Sequence, residues 1–288
     1  MAKVPVAELQ ARYGIGDQLR FELDQHGMER ALIRTKAAHA IIYLNGAHIA
    51  HFQPMGERPL LFLSSKSNFT PGKAIRGGIP IIYPWFGAKQ DDPSAPMHGF
   101  ARTSLWEVET TDLDSNSAEL VFSLDSLRYH VRISDSLELT LEVRNSSATP
   151  LLFEEALHSY FSVSDAREVG IHGLSNQTFI DKTDGMKRKI SRPTALKLTA
   201  ETDRVYLHST TLCQIEDPEW NRKIRIEKSG SFTTVLWNPW NEKSSKMSDL
   251  SQDDWLNFIC IETANAADNA ITLAPDAVHN MRAVISVH

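Results

Sequence analysis

Residues Leu137–Val143 read LELTLEV, a strict alternation. Leu137, Leu139, Leu141 and Val143 fall on one side, and Glu138, Thr140 and Glu142 on the other. Side chains along a strand alternate with a period of two, so this segment packs one face into a core and turns the other to water. Similar short segments recur at Ala40–Leu44, Leu60–Leu63, Ala118–Leu124, Lys223–Lys228, Thr233–Trp237 and Ala283–Val287, rich in Val, Ile, Leu, Thr and aromatic residues. Turn-forming pairs such as Asn45-Gly46, Asp184-Gly185 and Ser229-Gly230 separate them. Many short strands and few helices predict an all-β, antiparallel sandwich. One short amphipathic helix is expected over residues 4–13, with Val4, Val6, Leu9 and Tyr13 as its apolar positions. No internal repeat, low-complexity tract or Ser/Gly linker interrupts the chain. Residues 1–288 are therefore expected to form a single domain, with 1–20 as an N-terminal extension carrying the helix.

Apolar residues make up 42% of the 288 residues and charged residues 23%, which suffices for a large core and argues against disorder. The net charge is −6 and the basic residues are scattered, so nucleic acid is a poor partner. A phosphorylated small molecule stays open, because one or two arginines hold a single phosphate. Cys213 and Cys260 are too few for a disulfide framework and read as buried reduced thiols. The N-terminus lacks the apolar stretch of a signal peptide, and no run reaches the ~18 apolar residues of a membrane span. A cytoplasmic protein is expected, and the Asn-x-Ser/Thr triplets at Asn68, Asn145 and Asn176 are then chance matches.

Four segments depart from ordinary strand patterning. Arg76–Gly87, RGGIPIIYPWFG, holds Pro80 and Pro84, which exclude a central strand. Gly77-Gly78 lets the backbone approach either a neighbouring chain segment or a ligand. The plain alternative is a tight turn filled with aromatics. His98–Arg102, HGFAR, follows the polar loop KQDDPSAPM and places a His and an Arg on a loop, where function often resides. In Ala156–Val163, ALHSYFSV, alternation sets Leu157, Ser159, Phe161 and Val163 on one face. Ala156, His158, Tyr160 and Ser162 share the other, which suits a sugar-binding wall or simply a wet strand face. In Trp255–Thr263, WLNFICIET, Glu262 ends an apolar run. Partial desolvation there raises a carboxylate pKa and suits a general base, whereas the plain alternative is a strand ending in solvent.

Together these segments resemble the aldose 1-epimerase (mutarotase) family, and within it the hexose-6-phosphate subgroup. The resemblance runs from about residue 20 to the C-terminus. It is carried by RGGIPIIYPWFG at 76–87, HGFAR at 98–102, ALHSYFSV at 156–163, TDRVY at 202–206, WNPW at 237–240 and CIETA at 260–264. It implies a large antiparallel β-supersandwich with an open cleft, and neither metal nor organic cofactor. It also implies His158 as general acid, Glu262 as general base, and Asp203 and His98 as sugar-binding residues. Arg76 and Arg102 are implied as anchors for a 6-phosphate. The activity implied is interconversion of the α and β anomers of a hexose 6-phosphate, chiefly glucose 6-phosphate, by a monomer. Tyr83 and Trp85 stand where Phe and a smaller or polar residue are frequent in the subgroup, which bears on the preferred sugar. Tyr160, Phe86 and Trp85 are each able to pack on the sugar ring.

Other classes fit less well. A mutarotase for free aldoses shares the His/Glu pair without arginine anchors. A non-catalytic carbohydrate-binding sandwich needs aromatics but no acid/base pair. A glycoside hydrolase wants two carboxylates, for which Glu154 or Glu155 with Glu262 are available, but it leaves His158 unexplained. Nucleotide-binding glycine motifs and a nucleophile elbow are missing. His48 and His51 lack a third metal ligand.

Overall fold

The computed structural model describes residues 4–192 and 194–288. Among these residues the regular structure is mostly β-strand, and the paired strands of its sheets run antiparallel. A nine-stranded sheet runs in the order Ala195–Leu196, Gly170–His172, Cys213–Asp217, Arg222–Ser229, Val278–Val287, Leu137–Arg144, Leu127–Ile133, Ala118–Leu124, Glu107–Leu113. A second sheet runs Lys187–Ile190, Thr178–Asp181, Thr202–Leu207, Thr233–Asn238, Phe258–Asn265, Glu155–Leu157, Ile81–Ile82, and Tyr160–Ser162 also pairs with Phe258–Asn265. A four-stranded sheet, Leu19–Leu23 through His48–Pro54, and a two-stranded one, Leu151–Phe153 with Ile271–Leu273, complete the frame. The helix spans Val6–Tyr13 and buries Leu9, while Val4, Val6 and Tyr13 pack on the core less completely.

The core sits between the two large sheets. Leu137, Leu139, Leu141 and Val143 are each 0% exposed and belong to one apolar cluster with Ile259 and Ile261 of the second sheet. The alternation in LELTLEV thus places its apolar half as expected. The strand Phe258–Asn265 sends Ile259 and Ile261 to this core. Phe258, Cys260, Glu262 and Ala264 therefore share its other face.

Two segments differ from the sequence pattern. Leu60–Leu63 forms no continuous strand. Its backbone N–H groups go to Phe52 and Tyr160, and Ser64 goes on to Arg76, so the run stitches separate segments together instead of following one neighbour. Glu262 does not end a strand, because pairing continues through Asn265. Gly77 and Gly78 serve close chain approach. A Cβ would lie 2.4 Å from the Phe62 carbonyl oxygen at Gly77 and 2.2 Å from that of Ile49 at Gly78.

A buried ionic knot fixes the strand that leads to His158. Glu155 Oε1 accepts from Asn265 Nδ2 at 2.8 Å and lies 2.9 Å from His279 Nε2. Burial opposes a charge on His279, but the Glu155 carboxylate prevails and raises its pKa above the ordinary value of 6.5. A raised folded pKa stabilises fully below the unfolded value and is lost as pH climbs through the folded one. Glu155→Ala is expected to cost about 3–5 kcal/mol. In thermal melts its loss of Tm should be larger at acidic pH than at alkaline pH. An equal loss at both ends would show that the His279 charge plays no part.

Candidate active site

Strand pairing assembles the site. Leu157 pairs with Thr263 and Tyr160 with Cys260, so His158 and Ser159 sit in an interruption facing the middle of Phe258–Asn265. The His158 N–H is held by the Pro80 carbonyl at 3.0 Å. This brings His158 Nε2 to 3.3 Å from Glu262 Oε1. His158 is 7% exposed and Glu262 1%. Glu262 is therefore far more deeply enclosed than its sequence context suggested. Among the described residues, His158 Nδ1 and Glu262 Oε2 are buried with no hydrogen-bond partner. Both members of the pair thus keep hydrogen-bonding capacity that no protein group among the described residues uses.

Burial raises the Glu262 pKa well above the ordinary carboxylate range, and the Asp203 charge raises it further. Burial also drives the His158 pKa well below 6.5, assisted by His98, Arg76 and Arg102. Burial consequently favours neutral imidazole and protonated carboxyl in the pair. Imidazolium with carboxylate contains the same single proton, so moving between the two forms needs no proton from water.

The other residues singled out in the sequence surround this pair. Tyr160 stacks on His158 with ring centroids 4.8 Å apart and planes at 10°. Trp237 meets both rings edge-on, at 5.8 Å and 5.9 Å. His98 lies edge-on to His158 at 6.0 Å. Its Nδ1 accepts the Gly87 N–H at 3.1 Å, which leaves the proton on Nε2 as a donor. Burial, then Arg102, Lys182 and Arg76, push the His98 pKa down to about 3, so this imidazole is neutral. Asp203 pairs in register with Trp237, and Trp237 with Cys260, which puts all three on the face that carries Glu262.

The two arginines are not equivalent. Arg76 is already engaged: Nε and Nη2 reach Asp249 Oδ2 at 3.0 and 2.9 Å, and Nη1 donates to the Tyr160 hydroxyl at 2.8 Å. Arg102 donates from Nη2 to the Met97 carbonyl at 2.7 Å, and its Nε is buried without a partner among the described residues. A groove of about 1050 Å³ has Trp85, Phe86, Phe100 and Lys182 in its wall; His158 and Glu262 do not line it. Tyr160 is covered by His158, and Trp85 donates to the Pro96 carbonyl at 2.9 Å. Phe86 lines the groove and meets His98 edge-on at 5.0 Å, and His98 in turn meets His158. Lys182 and Asp249 escaped the sequence reading, because each lies in an ordinary polar turn and reaches the site only through folding.

A family model described as aldose 1-epimerase matches residues 29–286. The chain belongs to that family. An Escherichia coli (strain K12) protein provisionally named glucose-6-phosphate 1-epimerase is 34% identical over 238 residues, covering 78% of this chain and 79% of that one. A protein of the same provisional name from Cenchrus ciliaris is 33% identical over 272 residues, covering 86% and 82%. The crystal structure of a provisionally named mutarotase from Salmonella typhimurium superposes with a TM-score of 0.88, at 28% identity and covering 98% of each chain. The galactose mutarotase-like architecture expected of an aldose 1-epimerase is thus the one present. No helix among the described residues is long and apolar enough to cross a membrane.

Proposed function

We propose that the protein is an isomerase that interconverts the α and β anomers of hexose 6-phosphates, chiefly glucose 6-phosphate, with His158 and Glu262 as its acid/base pair. The observation that carries this reading is the 3.3 Å contact between two buried titratable groups that each keep an orphaned polar atom. The names of the relatives from E. coli and Cenchrus ciliaris support the phosphorylated substrate.

Ring opening removes a proton from the C1 hydroxyl and delivers one to the ring oxygen as the C1–O5 bond breaks. The resulting aldehyde turns about C1–C2, and closure on its other face reverses both transfers. Glu262 as carboxylate takes the first proton and His158 as imidazolium supplies the second. A phosphate dianion bound beside Arg76 and Arg102 offsets two of the charges that hold His158 neutral, and so favours this form of the pair. His98 donates from Nε2 and Asp203 accepts, each to the sugar's oxygens. The protein's own groups suffice for both proton transfers. The buried free thiols Cys213 and Cys260 suit a reducing, cytoplasmic location.

Arg102 is the cleaner test of the phosphate, since Arg76 also braces Tyr160 and Asp249. A charge-assisted hydrogen bond is worth about 1.5–3 kcal/mol, so Arg102→Ala should lower kcat/KM for glucose 6-phosphate by roughly 10–100-fold. Turnover of free glucose should change little. Steady-state assays on both sugars check this. Equal losses on both, or a wild type that prefers glucose, would favour a free-aldose mutarotase.

A further inference from the structure

Lys182 belongs to none of the motifs that carry the family resemblance. It directly follows the strand Thr178–Asp181, and its backbone N–H donates to the Asp203 carbonyl at 2.9 Å. Its Nζ lies 3.4 Å from Asp203 Oδ2 and 5.5 Å from the centre of the Phe86 ring. The side chain of Lys182 is 32% exposed and that of Asp203 14%, so the ammonium stands at the rim with the carboxylate beneath it. Lys243 also acts on Asp203, but it is tied to Glu201 at 2.6 Å.

The sheet register explains why this matters. Asp203 shares a face with Glu262 two strands away, through the rows Asp203–Trp237–Cys260 and Val205–Val235–Glu262. Two carboxylates on one sheet face oppose each other's ionisation, and the Asp203 charge does raise the Glu262 pKa. Yet the reaction needs one to accept hydroxyl hydrogens and the other to accept a proton. The remaining charged or titratable groups around Glu262 are His158, Arg102 and Cys260, with Tyr160 braced by Arg76. Lys243 and Glu201 are the further ones around Asp203. Lys182 acts on both carboxylates.

We infer that Lys182 is a positioning residue for the epimerase reaction: its ammonium cancels the Asp203 charge where it faces Glu262, so that a hydroxyl-binding and a proton-accepting carboxylate work side by side. This rests on the function proposed above. Without Lys182 the full Asp203 charge bears on Glu262, and proton loss from Glu262 needs a higher pH. Lys182→Ala should therefore move the alkaline limb of kcat/KM for glucose 6-phosphate, where the pair loses its shared proton, upward by about one pH unit, within the range of charge-pair effects. Lys182→Arg should restore it. The double variant Lys182→Ala/Asp203→Asn, which removes both charges, should bring the limb back toward wild type. The substrate's own phosphate ionisation near pH ~6 is common to every variant and drops out of the comparison. The carboxyl ¹³C shift of Glu262, titrated in wild type and Lys182→Ala without substrate, reads the same displacement and needs no turnover. An unmoved limb and an unmoved ¹³C titration, with only KM raised, would overturn the inference and leave Lys182 a simple substrate contact. A wild type that fails to exchange anomers would sink the proposed function itself, and is seen before any variant is made.

Discussion

Glu262→Gln is expected to slow anomer exchange of glucose 6-phosphate by about 10²–10⁴-fold, the range for loss of one positioned proton transfer. Gln keeps the shape and the hydrogen-bonding reach of the side chain but accepts no proton at the pH of the reaction. Its effect on folding should be small for a specific reason. Glu262 is 1% exposed, and burial followed by the Asp203 charge pushes its carboxyl toward the neutral form. A neutral amide therefore resembles the form that burial already favours, and the melting temperature should hold or rise. NMR exchange rates at saturating substrate, together with thermal melts, check both parts. A rate within about threefold of wild type would remove Glu262 from the proton-transfer role.

His158→Ala should cost a similar factor, about 10²–10⁴-fold. It differs in what it leaves behind. The imidazole stacks on Tyr160 at 4.8 Å and lies 3.3 Å from Glu262, so its removal opens a cavity and strips Glu262 of its partner. Tyr160 stays braced by Arg76 at 2.8 Å, which keeps the cavity wall in place. Some loss of stability is expected with the loss of rate. His158→Asn, which fills part of the space without carrying the proton, separates the two. If chemistry is the cause, Asn stays slow even where it recovers stability. Added imidazole, small enough for the vacated site, should restore part of the rate to His158→Ala. A stable His158→Asn protein with near-normal exchange would contradict the assignment.

Sequence patterning succeeded where local rules and the fold agree. The Leu137–Val143 alternation was legible because one sheet face meets the core and the other meets water. The placement of His158 and Tyr160 on one face also held, and the structure stacks them. Glu262 was legible as a candidate but not in its burial. Period-two reasoning cannot see that both faces of Phe258–Asn265 are covered, one by the opposite sheet and one by the walls of the site. Leu60–Leu63 looked like a strand because its composition is that of one, yet its backbone partners lie on several distant segments. The pairing of His158 with Glu262 depends on register between strands remote in sequence, which the family resemblance supplied and local pattern could not. Lys182 and Asp249 show the same limit, since an ordinary lysine or aspartate in a turn acquires meaning only from the carboxylate or guanidinium it meets across the fold.

The most direct test of the central claim is two-dimensional NMR exchange spectroscopy on an equilibrium mixture of glucose 6-phosphate anomers, with and without catalytic amounts of the wild-type protein. The account predicts cross-peaks between the α and β C1 protons that grow with protein concentration, well above the buffer rate, and weaker exchange with free glucose. Exchange of glucose 6-phosphate at the buffer rate would contradict it.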